Sequence, residues 1–126
     1  MKEIKLQAKT ENLPRITAFL EKLGVGEQYA VMVSAEEIFI NIASYAYDKE
    51  GSVTLRAGTQ DGVFVMEFID EGEAYDPLSV TAPDVALSAK QRTPGGLGIY
   101  IVRQMMDAVE YERRGNFNVL RLSKKM

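Results

Sequence analysis

Residues 36–41, EEIFIN, lie in the middle of the longest helical pattern of the sequence, which predicts a helix from Glu27 to Tyr47. Because successive helical residues are about 100° apart, Glu37 and Asn41 share one face of this helix. The other side is expected to pack against a sheet or another helix, and it carries Met32, Ala35, Phe39, Ile42, Ala43 and Ala46. Two plainer interpretations of the polar face stay open: a solvated surface, or a capping box of Ser34 and Glu37 in a helix that begins late.

Upstream of this helix, the pattern predicts one strand and one further helix. Residues 3–9 alternate polar and apolar side chains, which is typical of a half-buried strand. Asn12 is then a candidate N-cap, and Pro14 suits a first helical turn, where its missing N–H costs little. Apolar residues follow at helical spacing until Gly24, where this helix is expected to end.

Downstream, two strand-like runs at residues 52–58 and 63–69 flank Asp61-Gly62, a strong hairpin signal. The second run is almost entirely apolar, so a central strand is expected, and it leads directly into Asp70 and Gly72. A carboxylate at the end of a buried strand, followed by glycine, offers a ligand a fixed acceptor and a closely approaching backbone. The alternative is an ordinary turn rich in Asp and Gly.

Residues 78–94 include two prolines and several Ser and Thr, and they predict a long loop of the kind that serves as a lid over a site. The loop leads into Gly95-Gly96-Leu97-Gly98, after which apolar residues recur at helical spacing. Glycines at the start of a helix leave N–H donors open at its positive dipole end, which suits a phosphate group. A flexible hinge is the alternative, since the motif is neither a P-loop nor a Rossmann fingerprint.

Two further strands are predicted at residues 108–112 and 118–122, joined as a hairpin through Gly115-Asn116. The order of elements predicts an α+β fold, a two-layer sandwich in which helices cover one face of a mixed sheet. A single domain over residues 1–126 is expected, because the length suits one core and no repeat or low-complexity segment interrupts the pattern.

Composition limits the chemistry that the chain offers. Its formal net charge is −3 and its sequence pI is near 5.0, so neither nucleic acid nor an anionic membrane surface is an expected partner. It contains no Cys and no His, which excludes disulfides, Cys/His zinc sites, Ser-His-Asp triads and a phosphohistidine on this chain. Acid–base work is left to Glu, Asp, Lys or Tyr. No signal peptide or apolar run of about 18 residues is evident, and a cytoplasmic location is expected.

In chain order, the Glu-x-x-x-Asn helix, the Asp-x-Gly strand end and the Gly-Gly-x-Gly helix resemble the GHKL, or Bergerat-fold, ATPases. Within that superfamily the sequence is similar to the small anti-sigma-factor serine/threonine kinases of bacteria. The resemblance spans nearly the whole chain and is densest in residues 36–47 (EEIFINIASYAY), 70–77 (DEGEAYDP) and 95–107 (GGLGIYIVRQMMD). It implies the Bergerat type of sandwich, a histidine-kinase-like ATPase domain with an ATP lid.

The resemblance implies that the helical pair has two separate jobs. Asn41 would coordinate a Mg²⁺ ion that bridges the phosphates of ATP. Glu37, one turn earlier on the same face, would be the general base. The residue types agree with this, because Mg²⁺ takes a few oxygen ligands together with phosphates and waters.

The resemblance also implies an adenine site at the end of the central strand. Asp70 would accept a hydrogen bond from the adenine amino group, and Gly72 would give the base room. Many relatives carry Gly-Thr near the last strand in support of this site, whereas this chain has GNFN at residues 115–118. Asn118 both donates and accepts hydrogen bonds, and it is the expected substitute.

The phosphates of ATP are implied to lie at the start of the last helix. Gly96, Leu97 and Gly98 would meet them with backbone N–H groups and the helix N-terminus. The segment from Leu78 to Pro94 would close over the nucleotide as the lid.

The activity implied is transfer of the γ-phosphoryl group of ATP to a Ser or Thr of a separate STAS-domain anti-sigma-factor antagonist. A sigma factor is a second candidate partner, and a homodimer is implied. Two alternatives stay open. One is a nucleotide-binding module that sequesters a sigma factor or another regulator with negligible transfer, and the other is an ATP hydrolase in which Glu37 orients a water molecule.

Overall fold

The computed structural model describes residues 1–79 and 96–126 of the chain. Within these ranges the strands are β1 (Lys2–Gln7), β2 (Ser52–Gln60), β3 (Val63–Asp70), β4 (Ala108–Arg114) and β5 (Phe117–Lys125). The helices are α1 (Leu13–Lys22), α2 (Tyr29–Tyr45) and α3 (Gly96–Met105), and short 3-10 turns span Thr10–Asn12 and Pro77–Ser79. None of these described helices has the length and apolarity that a membrane span needs.

The five strands form one sheet in the order β1-β2-β3-β5-β4, and each neighbouring pair runs antiparallel. The predicted α+β class is confirmed, but the predicted mixed sheet is wrong in its strand directions. Helix α3 does connect β3 to β4, and these two strands point the same way. The hairpin after β4 inserts β5 between them, so no parallel pair forms among the described strands.

The core lies between the helices and one face of the sheet. Buried and more exposed side chains alternate along β2, which is the period of a strand with one covered face. Phe64 and Phe68 of β3 are fully buried in one cluster with Leu20 of α1, Phe39 of α2 and Val102 of α3. Burying each large apolar side chain contributes about 1.5–3 kcal/mol, so this cluster fixes all three helices on the sheet.

The opposite face of the sheet carries a row of alternating charges that crosses all five strands. The register places them side by side in the order Glu3, Arg56, Glu67, Arg121 and Glu110. Glu67 at the centre is only 6% exposed, and its carboxylate oxygens lie 3.7 Å from Nη1 of Arg56 and 3.9 Å from Nη1 of Arg121. Opposite charges on neighbouring strands favour this register over a slipped one.

Helix α2 is the predicted central helix, shorter by two residues at each end. Its buried side chains are Val31, Ser34, Ala35, Ile38, Phe39 and Ile42. Ser34 is fully buried in the second turn, so the capping-box interpretation with Glu37 is wrong. Met32, Ala43 and Ala46, expected on the packed side, are only partly buried. The buried arc is wide because α2 contacts both α1 and α3 as well as the sheet.

The predicted turns are confirmed. Asp61 and Gly62 join β2 to β3 with φ angles of 53° and 78°, the two positive values that a two-residue hairpin of matching twist requires. Pro14 lies in the first turn of α1 as expected. Asn12 occupies the N-cap position, but its side-chain amide donates to the Gln7 carbonyl oxygen at 2.9 Å and makes no cap bond.

Candidate functional site

A cavity of about 410 Å³ opens between the C-terminal half of α2, the end of β3 and the neighbouring parts of β4 and β5. Its size falls in the usual range for small-molecule sites. This site cavity is lined by Ile38, Asn41, Ile42, Tyr45, Ala46, Asp48, Asp70, Glu73, Ala74, Tyr75, Pro77, Tyr111, Asn118 and Leu120. Three of the site residues predicted from sequence therefore line the same cavity: Asn41, Asp70 and Asn118.

Asp70 is the fixed carboxylate of the site cavity. It ends β3 and is 6% exposed. Its Oδ1 accepts hydrogen bonds from the Gly72 N–H at 2.8 Å and from Nδ2 of Asn118 at 3.0 Å. Within the described residues no hydrogen bond engages Oδ2. The carboxylate is thus held by one oxygen, and the other remains to accept a hydrogen bond from a ligand.

Gly72 allows the segment after β3 to lie directly against the end of α2. A Cβ atom at this position would come within 2.4 Å of the Ala46 carbonyl oxygen and 3.0 Å of Oδ1 of Asp70. The glycine carbonyl in turn accepts a hydrogen bond of 2.8 Å from Nη1 of Arg113 on β4. The segment is therefore held from both sides, by α2 and by the edge strand.

Asn41 and Glu37 follow one another along the polar face of α2, and both are partly buried. Asn41 lines the site cavity, whereas Glu37 lies outside its lining. Across residues 1–79 and 96–126, neither side chain makes a hydrogen bond or an ion pair. No residue of these two ranges therefore competes with a ligand for either side chain.

The first turn of α3 reaches Glu37. A Cβ atom at Gly98 would lie 2.6 Å from Oε2 of Glu37, so the glycine is what permits this approach. Gly96 and Leu97 open the same helix, so their backbone lies in the first turn beside Gly98. The predicted lid, Leu78 to Pro94, lies outside the described residues beyond Ser79. The structure therefore places the part of the glycine motif that begins α3 next to Glu37 on α2.

Tyr47, the last residue of the predicted helix and of the 36–47 motif, joins this region through hydrogen bonds that no local pattern predicts. Its hydroxyl donates to the Ser52 carbonyl oxygen at 2.7 Å and accepts from the Glu71 N–H at 2.7 Å. Burial raises the pKa of the Tyr47 hydroxyl above its ordinary value, which keeps the group a neutral donor. Tyr47 thus ties the end of α2 to the start of β2 and to the segment that follows Asp70.

Some other residues of the cavity could have been predicted from sequence patterns, and others could not. Tyr45 and Asp48 follow Asn41 by four and seven residues. Helical spacing already places Asp48 on the polar face with Glu37 and Asn41, and the same spacing would have added Tyr45. Tyr111 joins the site through the pairing of β4 with β5, and nothing in the linear sequence states that register. Tyr75 lines the cavity from the segment after β3 without any motif that marks it.

The oxygen donors around the cavity suit a metal ion only in part. Among the residues that the structure describes, no group of three or more Asp or Glu side chains is placed to hold one. Asn41 offers a single amide oxygen at the cavity wall. Mg²⁺ commonly takes one or two protein oxygens and completes its shell with phosphates and waters, so this residue fits an ion that arrives with a phosphorylated ligand.

Comparison with known proteins identifies the family. The chain matches the family model of the histidine kinase-like ATPase domain over residues 6–124. The serine/threonine-protein kinase BtrW of Bordetella bronchiseptica is 31% identical over 100 residues, which cover 76% of this chain and 69% of that protein. The anti-sigma F factor of Caldanaerobacter subterraneus is 25% identical, with 98% of this chain and 92% of that protein covered. The serine-protein kinase RsbW of Bacillus subtilis is 27% identical, with 69% and 58% covered.

A solved structure agrees with this at the level of the fold. The histidine kinase AdeS of Acinetobacter baumannii superposes with a TM-score of 0.52 and 10% sequence identity, covering all of this chain and 69% of that one. The three relatives also agree with the GHKL anti-sigma regulatory kinases that the motifs resemble. Since the family model spans nearly all of the sequence, this chain belongs to the histidine kinase-like ATPase domain family.

Proposed function

We propose that this protein is a Mg²⁺- and ATP-dependent serine/threonine kinase that phosphorylates a STAS-domain anti-sigma-factor antagonist. The observation that carries the proposal is the arrangement on α2. Glu37, a carboxylate with no partner among the described residues, lies beside the first turn of α3 and one turn from Asn41 in the cavity wall. A proton acceptor and a metal-binding amide are thus set next to a helix N-terminus suited to phosphate.

The nucleotide base is proposed to occupy the end of the site cavity at Asp70. Oδ2 of Asp70 accepts a hydrogen bond from the adenine amino group, while Oδ1 is retained by Gly72 and Asn118. Ile42 and Leu120, which line the same cavity, supply apolar surface for the ring. Hydrogen bonds already hold the Asp70 carboxylate before the base binds, so little further ordering of this side chain is required.

The phosphates are proposed to lie between α2 and the start of α3. Backbone N–H groups at Gly96, Leu97 and Gly98 face them from the first turn of the helix. The Asn41 amide oxygen would hold Mg²⁺ together with the phosphates, and the ion would supply positive charge to offset the negative charge of the transferred phosphoryl group.

The transfer step needs an oriented nucleophile. The serine hydroxyl oxygen of the partner protein attacks the γ-phosphorus of ATP, the bond from that phosphorus to the β,γ-bridging oxygen breaks, and ADP leaves. Glu37 orients the hydroxyl and takes its proton. Because this chain has no His, the phosphoryl group passes to the partner without a phosphohistidine on this chain.

The names of the relatives support the choice of reaction and partner. BtrW and RsbW are named as kinases that act on serine or serine/threonine. The third relative is named an anti-sigma F factor, which supports partner switching between a sigma factor and its antagonist. That name also favours a second candidate function, a nucleotide-binding module that sequesters a sigma factor with little or no transfer.

One experiment separates the two. The protein is incubated with Mg-ATP labelled in the γ-phosphate and with STAS-domain proteins from the same organism, and phosphoserine or phosphothreonine is measured. Glu37→Gln is expected to lower transfer by roughly 10²–10⁴-fold, the usual contribution of a general base, while ATP binding persists. Glu36→Gln is the matched control, because Glu36 is the adjacent acid on α2 and is exposed.

Three outcomes would count against the assignment. If the wild type binds ATP but labels no STAS-domain protein, the kinase proposal is wrong and the sequestering module is favoured. If Glu37→Gln transfers as well as the wild type does, Glu37 is not the base. If Asn41→Ala and Asp70→Asn both leave ATP affinity unchanged, the nucleotide lies elsewhere.

A further inference from the structure

The side-chain amide of Asn118 donates all of its hydrogen bonds within the protein. Its Nδ2 donates to Oδ1 of Asp70 at 3.0 Å and to the Glu73 carbonyl oxygen at 2.8 Å, with a longer contact of 3.4 Å to the Gly72 carbonyl oxygen. An Asn amide nitrogen carries two N–H groups, so both are used. All three acceptors belong to β3 or to the segment after it, which forms the end of the site cavity.

The amide oxygen is equally occupied. Oδ1 of Asn118 accepts from the Tyr111 hydroxyl at 2.5 Å and from the Tyr75 N–H at 3.3 Å. These two partners fill its two lone pairs. The opposite amide orientation would set oxygen against the oxygens of Asp70 and Glu73, so the network also fixes which way the amide points. Asn118 is 8% exposed, and all of its side-chain donors and lone pairs are used, so it has no hydrogen-bonding group left for a nucleotide.

Tyr111 secures this arrangement from the edge of the sheet. It lies on β4, opposite Leu120, and its hydroxyl reaches across to Asn118 on β5. On the same strand, Arg113 holds the Gly72 carbonyl oxygen at 2.8 Å. The edge strand β4 therefore supports the segment after β3 directly through Arg113 and indirectly through the bond from Tyr111 to Asn118, although β5 lies between β4 and β3.

We infer that Asn118 and Tyr111 are positioning residues that make the site selective for a nucleotide base with an exocyclic amino group, and that Asn118 does not touch the base. The inference rests on the proposed binding of ATP at Asp70. Asn118 donates to Oδ1 of Asp70 and so turns Oδ2 to the cavity as an acceptor only. An amino group satisfies this oxygen, whereas a carbonyl oxygen at the same ring position leaves two acceptors facing one another.

The test compares ATP with inosine triphosphate, in which a carbonyl oxygen replaces the amino group. Affinities for both are measured by calorimetry for the wild type, Asn118→Ala, Asp70→Ala and the double variant. Asn118→Ala is expected to weaken ATP binding about 10-fold or more and inosine triphosphate binding by less than about 3-fold, and to have no further effect once Asp70 is removed. An equal loss for both nucleotides, or losses that add in the double variant, would overturn the inference.

Tyr111→Phe provides a second, milder test that keeps the aromatic ring. It is expected to reduce the preference for ATP over inosine triphosphate about 3-fold, through the loss of one hydrogen bond to Asn118. Tyr29→Phe is the control, because Tyr29 is 71% exposed at the start of α2. Thermal unfolding shows whether each variant is folded. If Asn118→Ala is unfolded, the ratio of the affinities of Tyr111→Phe for ATP and inosine triphosphate decides the question.

The result for the wild type separates this inference from the proposal on which it rests. If the wild type binds neither nucleotide, the proposed function fails and the inference falls with it. If the wild type prefers ATP but Tyr111→Phe retains the full preference, only the positioning role is refuted.

Discussion

Replacing Gly72 by alanine tests how the segment after β3 is held. The new Cβ atom would lie 2.4 Å from the Ala46 carbonyl oxygen, about 1 Å inside the 3.4 Å at which ordinary contact begins. The obstructing atom is backbone, so no rotamer change relieves the clash, and Gly72 must move away from α2. Such overpacking costs about 1–3 kcal/mol of stability.

The same movement strains the hydrogen bond of 2.8 Å from the Gly72 N–H to Oδ1 of Asp70. A hydrogen bond to a charged group contributes about 1.5–3 kcal/mol, so its loss is expected to weaken ATP binding roughly 10- to 150-fold. Calorimetric titration with ATP measures the affinity, and denaturant unfolding measures the stability. Gly58→Ala is the control, because a Cβ there meets nothing closer than 3.5 Å. A folded Gly72→Ala protein with wild-type affinity for ATP would show that this contact does not set the orientation of Asp70.

Three further predictions concern other parts of the molecule. Ser34→Ala is expected to raise the free energy of unfolding by about 1 kcal/mol, measured with urea, because the buried Ser34 hydroxyl has no hydrogen-bond partner among the described residues. Gly98→Ala is expected to lower the transfer rate at saturating ATP about 10-fold or more without unfolding the protein, since its Cβ displaces only the flexible end of Glu37, 2.6 Å away. The hydrogen bond from the Lys125 N–H, and to a smaller extent the charges of Lys124 and Lys125, hold the pKa of Asp107 below its ordinary value of 3.8. The ionised Asp107 carboxylate therefore stabilises the fold above pH 3.8, and this contribution is lost as the pH falls through the lower pKa of the folded state. Asp107→Asn should flatten the acid side of a plot of Tm against pH.

The sequence predicts elements best where one pattern runs for many residues. α2 and the β2-β3 hairpin were expected within about two residues of their observed ends, because helical periodicity and Asp61-Gly62 are local signals. The burial of Ser34 was not expected. The polar side of a helix is expected to face solvent when only the opposite side packs against the protein. Helix α2 has neighbours on several sides, so this expectation does not hold for Ser34.

The strand directions and the hydrogen-bond network at the site depend on pairing between distant segments. The crossover from β3 to β4 suggests parallel neighbours until the position of β5 is known. The same pairing brings Asn118 opposite Asp70 and Tyr111 within reach of Asn118, across 48 and 7 residues of sequence respectively. The motifs therefore predict which residues gather at the cavity, whereas the register is needed to see which of them hold the others in place. The catalytic and ligand-binding roles of these residues stay predictions until they are measured.

The insertion of β5 between β3 and β4 has a consequence for the order of folding. A ribosome delivers β3 long before β5, so the nascent sheet has an unpaired edge along Val63–Asp70 until residues 117–125 emerge. Closing that gap requires contacts between strands far apart in sequence, which slows folding. Since Asp70 and Asn118 pair only when β5 docks, this wall of the cavity cannot form before β5 does. The sheet therefore becomes continuous and this part of the cavity wall becomes complete in the same event.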